Sequence, residues 1–292
     1  MRHGWTDRMF GGFTYIFIGG FCIFCLLPIW VLIVGSVTDE KILLTEGYQL
    51  IPQNISFVGY QLLLAGKSLY QGYGVTVFVT FVGTILAIIV TSALSYSIAN
   101  SRNGLRNHIS FYVYFTMLFN GGLVPIYLLI SKTLNLSDSL WALILPLVVN
   151  PFYVFLMTNF FRTLPEEIGE SGKMDGASEF TIFTRLILPI STPIIATIGL
   201  FAALVYWNDW FYGLLFIADE NKFPLQLILR RMISNMLAAQ SMLPAGASYV
   251  VNLPAYQIRM ATTVLTIGPI VLLYPFLQKY FVKGLTVGAI KG

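Results

Sequence analysis

The sequence predicts an all-α integral membrane bundle of six transmembrane helices. Three observations predict it: an excess of apolar residues, their collection into long runs, and proline breaks inside those runs. Of the 292 residues, 57% are hydrophobic and 10% are Asp, Glu, Lys or Arg, whereas a soluble domain carries about 25% charged residues. So little charge excludes a disordered chain. A net charge of +4 with no run of Lys and Arg excludes a surface built to neutralise a phosphate track.

Crossing about 30 Å of hydrocarbon takes about 20 mostly apolar residues in a helix. Six runs have that length: 13–37, 73–98, 109–130, 140–161, 194–217 and 261–281. The first is too long for a secretory signal and lacks a small-residue cleavage pattern, so it is expected to remain as a span. Orientation follows from the flanking cations. With both termini in the cytoplasm, Arg2, Arg8, Arg102, Arg106, Arg162, Lys173, Arg185, Lys279, Lys283 and Lys291 lie inside. Outside lie Lys41, Lys67, Lys132, Lys222, Arg230, Arg231 and Arg259, mostly in longer segments that weigh less.

Pro28, Pro125, Pro146, Pro151, Pro269 and Pro275 fall within these spans. In lipid the backbone groups they free must find partners on neighbouring helices or in cavity water, so the spans must pack together. The second span adds Thr76, Thr80, Thr84, Ser92, Ala93, Ser95, Ser97 and Ala99, small residues that suit close helix packing more than a pathway lining. Cys22 and Cys25 lie in the first run. Without a second ligand pair they read as small hydrophobes, not a metal site. His3 and His108 are isolated near loop ends and read as surface residues.

Residues 162–190, between the fourth and fifth spans, hold Glu166, Glu167, Glu170, Asp175 and Glu179, five of the thirteen acidic residues. Thr163 followed by Glu166, with Pro165 between, predicts a capping box and a short helix. Asp175-Gly176 predicts a turn, and Ser178 a second N-cap. Phe180, Phe183, Leu186 and Ile187 follow at the spacing of one helix face, with Pro189 and Pro193 closing the unit. An acidic helix–turn–helix suits a cytoplasmic partner better than lipid headgroups, which select Lys and Arg. The run Gly169-Glu170-Ser171-Gly172-Lys173 is not a phosphate-binding loop. Glu167 stands where its first glycine belongs, Met174 where Ser or Thr belongs, and no strand precedes it.

Glu170-Ser171-Gly172, three residues, Gly176, nine residues, Leu186, one residue and Leu188-Pro189 resemble the signature loop of permease subunits of bacterial ABC importers. Ser171 and Gly172 replace the two alanines of that signature, and Leu186 its isoleucine. The resemblance extends over most of the chain to the carbohydrate (MalG-type) family and, within it, the LplC/YtcP-like group. It runs through the segment 119–127 (FNGGLVPIY), Trp207-Asn208-Asp209-Trp210 and the tail 274–284 (YPFLQKYFVKG). It implies the type I importer permease fold, with the signature loop as a coupling helix seated on an ATP-hydrolysing subunit. Glu167, Glu170, Ser171, Gly172, Asp175, Gly176 and Ala177 would form that contact and its hinge. It also implies a second, non-identical permease, two ATP-binding subunits carrying ATP and Mg, and a solute-binding protein meeting the outer segment 218–260. This chain is expected to bind no cofactor or metal itself and to be no enzyme. The implied organisation is a first helix and outer loop over 1–71, a permease core over 72–281 and a cytoplasmic tail over 282–292.

Asp209 is the one carboxylate placed within a span, where a charge costs about 2.5–3.5 kcal/mol and marks a candidate functional group. Sugars present apolar C–H faces and hydroxyl rims, which aromatic rings and polar tips match. Trp207, Asn208, Asp209, Trp210 and Tyr212 supply both, with Asn120, Tyr127 and Asn150 as further pathway candidates. The outer segment 218–260 contains Pro224, Pro244, Pro254 and an amphipathic run over 225–237. Connections of that length are usually functional. Arg230, Arg231 and Arg259 favour acidic, uronate-containing oligosaccharides, while Asp219 and Glu220 oppose them. Alternatives are a permease for peptide or polyamine, an integral-membrane enzyme and a secondary transporter. The enzyme would need a cluster of His, Cys or carboxylates, and the secondary transporter several ionisable residues at the midplane.

Overall fold

The computed structural model describes residues 5–241 and 254–267. Regular secondary structure among the described residues is helical apart from one isolated antiparallel bridge, Thr38 to Ile55, with turns and irregular segments between the helices. The sixth run is described only as far as residue 267 and is helical over 255–267. Pro244, Pro269, Pro275 and the 274–284 tail motif lie outside the described residues, as do His3 and the segment 282–292.

Contacts divide the chain into two units, Met1–Lys67 with Met232–Pro269, and Ser68–Arg231 with Ile270–Gly292. The first contains α1 (Trp5–Ser36), α2 (Glu40–Thr45) and α3 (Val58–Ala65), with α14 (255–267). The stretch of α1 from Phe10 to Ser36 is long and apolar enough to cross a membrane, and its most apolar part is uncovered, as befits a helix bathed in lipid. Cys22 and Cys25 are exposed free thiols on it. At its far end Gly35 lets the Met260 side chain approach, where a Cβ would collide with the sulfur. The start of α14 is tied by Glu40, whose two oxygens accept from Tyr256 N and Gln257 N at 2.9 Å. Gln257, fully buried, accepts from Gly59 N at 3.1 Å and donates to Ser56 O. That leaves no polar end of the side chain unpaired, the condition for burying an amide.

The second unit is built on α4 (Lys67–Ala99), whose 33 residues span about 50 Å. Around it stand α5 (Arg106–Leu118), α6 (Leu123–Thr133), α7 (Trp141–Leu147), α8 (Pro151–Phe161), α9 (Glu167–Met174), α10 (Glu179–Ile190) and α11 (Thr192–Asn208). Beyond them lie α12 (Phe211–Phe216) and the start of α13 (Leu225–Ser241), whose residues from Met232 onward belong to the first unit. The small residues of α4 serve packing, as the sequence favours. Gly83 receives the Tyr206 ring, Gly199 on α11 receives Ile88, and Ser95 Oγ donates to Val154 O of α8 at 3.0 Å.

The third, fourth and fifth runs are not continuous rods. Helices α5 and α6 meet at 114° and α7 and α8 at 50°, inside the third and fourth runs, while α10 and α11 meet at 82° just before the fifth run begins. Pro125 does not cause the first bend: it lies in the opening turn of α6, where its missing N–H is harmless. The cause is Gly122, held at φ +87° while Asn120 Oδ1 accepts from its N–H at 2.8 Å. The second bend follows the proline prediction, with Pro151 opening α8 behind an Asn150 cap that accepts from Phe152 N at 2.9 Å. The fifth run ends its helix at Asn208, so Asp209 stands in a break and not within a helix.

Candidate functional site

Helices α9 and α10 form the acidic hairpin expected between the fourth and fifth spans. The capping box is not made. Thr163 Oγ1 donates to Phe160 O at 2.7 Å, closing the preceding helix, and α9 begins after Glu166 without a side-chain cap. The turn follows the sequence closely. Gly176 adopts φ +76°, Gly176 N donates to Lys173 O, and Ala177 N donates to Gly172 O, both at 3.0 Å. This is the double closure of a Schellman cap, which asks for glycine at that position. Ser178 Oγ accepts from Thr181 N at 3.2 Å and starts α10.

Gly172 is buried against α10, so closely that a Cβ there would stand 3.0 Å from Ile182 and Leu186. The face of α10 that packs is therefore centred on Ile182 and Ile187, and Phe180, expected on it, projects outward at 73% exposure. Met174 is 83% exposed. These two apolar tips flank the turn beside Glu167, Asp175 and Ser171, whose hydroxyl donates back to Glu167 O. Sequence reasoning passed over Met174, and only its position beside the Gly176 turn could have singled it out.

Three more residues were missed: Tyr96 on α4 and Arg102 just beyond it hold the hairpin, and Lys173 ties its two helices together. Arg102 pairs with Glu170 at 2.8 Å, and the Tyr96 hydroxyl donates to Glu179 Oε2 at 2.8 Å. Lys173 pairs with the other oxygen of Glu179. The Lys173 ammonium first, and the Tyr96 hydroxyl second, hold the Glu179 carboxyl below the usual range. Tyr96, Arg102, Glu170, Lys173 and Glu179 line a cavity of about 120 Å³ behind the hairpin.

The predicted pathway residues divide into two kinds. Asn120, Asn150 and Asp209 each serve their own backbone. Asp209 Oδ1 accepts from Phe211 N at 3.2 Å and Tyr212 N at 3.4 Å, capping α12. Asn150 also borders a cavity of about 140 Å³ with Tyr153 and Tyr206. The others present side chains to neighbouring elements, and Asn208 does both, its Nδ2 donating to Leu204 O of its own helix at 2.8 Å. Tyr127 stacks on Phe216 at 5.8 Å and Phe216 on Tyr212 at 6.0 Å, a ladder of three near-parallel rings. Trp207 is buried against Tyr73, their rings 6.4 Å apart. Asn208 Oδ1 accepts from Gln226 at 3.3 Å, and the Arg230 guanidinium lies 3.6 Å from the centre of the Trp210 ring. Gln226 and Arg230, one turn apart on α13, thus meet Asn208 and Trp210. Arg231 rests on Phe223 at 4.2 Å and reaches Glu220 at 3.8 Å.

A family profile described as "Binding-protein-dependent transport system inner membrane component" matches residues 93–287. Protein LplC of Bacillus subtilis (strain 168) is 38% identical over 295 residues, covering 100% of this chain and 98% of that protein. The polygalacturonan/rhamnogalacturonan transport system permease protein YtcP of the same organism is 36% identical, over 98% of this chain and 99% of its own. A solved bacterial ABC transporter involved in the import of the acidic polysaccharide alginate contains a chain that superposes with a TM-score of 0.82 at 28% identity. The match covers 96% of this chain and 99% of that one.

Proposed function

The chain belongs to the family of binding-protein-dependent transport system inner membrane components, and from that membership we propose that it passes acidic oligosaccharide across the bacterial cytoplasmic membrane. It is a membrane-embedded permease subunit of an ABC importer and not an enzyme; ATP hydrolysis belongs to a separate subunit. In the proposed assembly it stands beside a second, non-identical permease. Two ATPases carrying ATP and Mg bind on the cytoplasmic side, where both termini lie, and a solute-binding protein meets α13 outside.

The observation that carries the reading is the α9–α10 hairpin. Its Schellman turn and the Gly172 contact make it stiff, and Met174 and Phe180 give it exposed apolar tips among carboxylates. A stiff element can be pushed without folding away, and apolar tips give a partner pocket something to grip. Closure of the ATPase pair would then move the hairpin and switch the bundle between inward-open and outward-open states, which must lie within a few kcal/mol of each other. Names of relatives support the cargo class, since polygalacturonan and alginate are acidic polysaccharides. Arg230 over Trp210 pairs a cation with an aromatic face, the two features a uronate ring calls for.

Uptake into proteoliposomes bearing the whole transporter tests the cargo. Oligogalacturonate should enter in an ATP-dependent way and a neutral arabinooligosaccharide should not; equal uptake of both overturns the acidic assignment. Glu170→Lys should reduce co-purification of the ATPase, and the exchanged pair Arg102→Glu with Glu170→Arg should not restore it. Full restoration would assign Glu170 to its internal ion pair instead of the partner.

A further inference from the structure

Helix α4 is hydrogen-bonded at both ends to elements with separate duties. Near its C-terminal end the Tyr96 hydroxyl holds Glu179 of the hairpin at 2.8 Å, and its ring lies 5.0 Å from that of Phe183. Near its other end the buried Thr76 Oγ1 accepts from Leu225 N at 2.8 Å. That N–H is the first of α13 and has no partner within its own helix. Beside it Gly72 admits the Leu225 backbone so closely that a Cβ would stand 3.3 Å from Leu225 Cα. Thr76 and Tyr96 are twenty residues apart along the helix, about 30 Å by helical rise, the thickness of the hydrocarbon layer.

Between these two contacts α4 is one uninterrupted helix, and its buried positions Thr76, Val79, Gly83, Ala87, Thr91 and Ser95 recur every three or four residues. Among the described residues of the second unit, the third and fourth runs are broken pairs and the helix of the fifth stops at Asn208. A broken span takes up displacement at its break, whereas an unbroken helix delivers at one end what it receives at the other. We propose that α4 is the rod linking the hairpin to α13. Tyr96 and Thr76 are its positioning residues, so that docking of the solute-binding protein outside changes ATP turnover inside. The inference rests on the functional reading above.

The measurement is ATP hydrolysis by the complete transporter in lipid nanodiscs, with and without its solute-binding protein loaded with oligogalacturonate. Tyr96→Phe removes one hydroxyl and keeps the ring. It should leave complex assembly and unstimulated turnover in place while stimulation falls about 2- to 10-fold, the range that one net hydrogen bond spans. Thr76→Val should lower stimulation comparably, and Thr76→Ser, which keeps the acceptor, should preserve it. Because the joints lie in series on one rod, the double variant Tyr96→Phe with Thr76→Val should lose no more than the worse single variant. Multiplying losses overturn the rod, as does undiminished stimulation in Tyr96→Phe. Loss of the assembled complex in that variant also overturns it, by assigning the hydroxyl to folding. Absence of stimulation in the unaltered transporter would instead count against the functional reading.

Discussion

Replacing Gly83 by alanine drives a methyl group into the ring of Tyr206. The new Cβ would stand 2.5 Å from Cζ, 2.6 Å from Cε1 and 2.7 Å from Cε2, whereas carbon atoms rest at about 3.5–4.0 Å. The ring must retreat by about 1 Å, and two features oppose that. Tyr206 is 2% exposed, and its hydroxyl is fastened to Ile144 O at 2.9 Å. Overpacking of this kind costs about 1–3 kcal/mol, and stretching the hydrogen bond until it fails adds about 1 kcal/mol. Alanine's better helix propensity offsets about 0.8–1 kcal/mol. A net destabilisation of about 1–3 kcal/mol is expected, read from SDS titration of the purified protein in mixed micelles. The cost should depend on the ring. In a Tyr206→Leu background Gly83→Ala should be neutral or stabilising, giving a coupling of about 1–3 kcal/mol. An equal cost in both backgrounds would refute the ring contact as its cause.

Asp209→Asn keeps an acceptor for the first turn of α12 and should transport normally, while Asp209→Ala should lose about 0.5–2 kcal/mol of stability. Abolished uptake in a fully stable Asp209→Asn protein would show that the charge itself is used. Asp138 accepts from Asp219 N at 3.0 Å and Ala218 N at 3.1 Å and lies 3.6 Å from Lys222. The Asp219 N–H leads the causes that lower its pKa. Because the folded-state pKa is depressed, the tie is fully present above the unfolded value and is lost as pH falls through the folded one. Hydrogen exchange at the Ala218 and Asp219 amides should therefore stay protected at mildly acidic pH and lose protection only below the ordinary carboxylate range. Loss of protection at neutral pH would contradict it.

Periodicity and turn chemistry exposed much of this fold to a reader of the sequence. The apolar runs, the Pro151 break, the Gly176 turn, the Ser178 cap and the amphipathic stretch after Pro224 all follow from local rules. Two failures were also local, and they share a cause. The Thr163 hydroxyl was free on paper but is taken by the helix before it, and Pro125 was charged with a bend that Asn120 and Gly122 make. In each case several residues offered the same chemistry and geometry chose among them. The partners of α4 were illegible for another reason. Tyr96 meets Glu179 across 83 positions and Thr76 meets Leu225 across 149, and no pattern within a segment encodes such pairs.

The polar residues near the spans carry a further consequence for cargo recognition. Lipid leaves no water to satisfy a broken helix, so each break must bring its own acceptor. Asn120, Asn150 and Asp209 are such acceptors, and their rarity in apolar sequence is explained before any cargo is invoked. A side chain tied to its own backbone is held in one direction and meets a sugar only with the atoms that tie leaves over, the amide nitrogen of Asn120 and Asn150 or the second carboxylate oxygen of Asp209. Side chains whose bonds run to other side chains can exchange them more readily. The Asn208 oxygen with Gln226, and Trp210 with Arg230, make contacts of this second kind, while the Asn208 amide nitrogen stays on Leu204 O at 2.8 Å, and both pairs join the end of the fifth span to α13. Discrimination between cargoes is therefore expected at this junction: Arg230→Gln, which removes a cation without touching a backbone bond, should shift preference from charged towards neutral oligosaccharide.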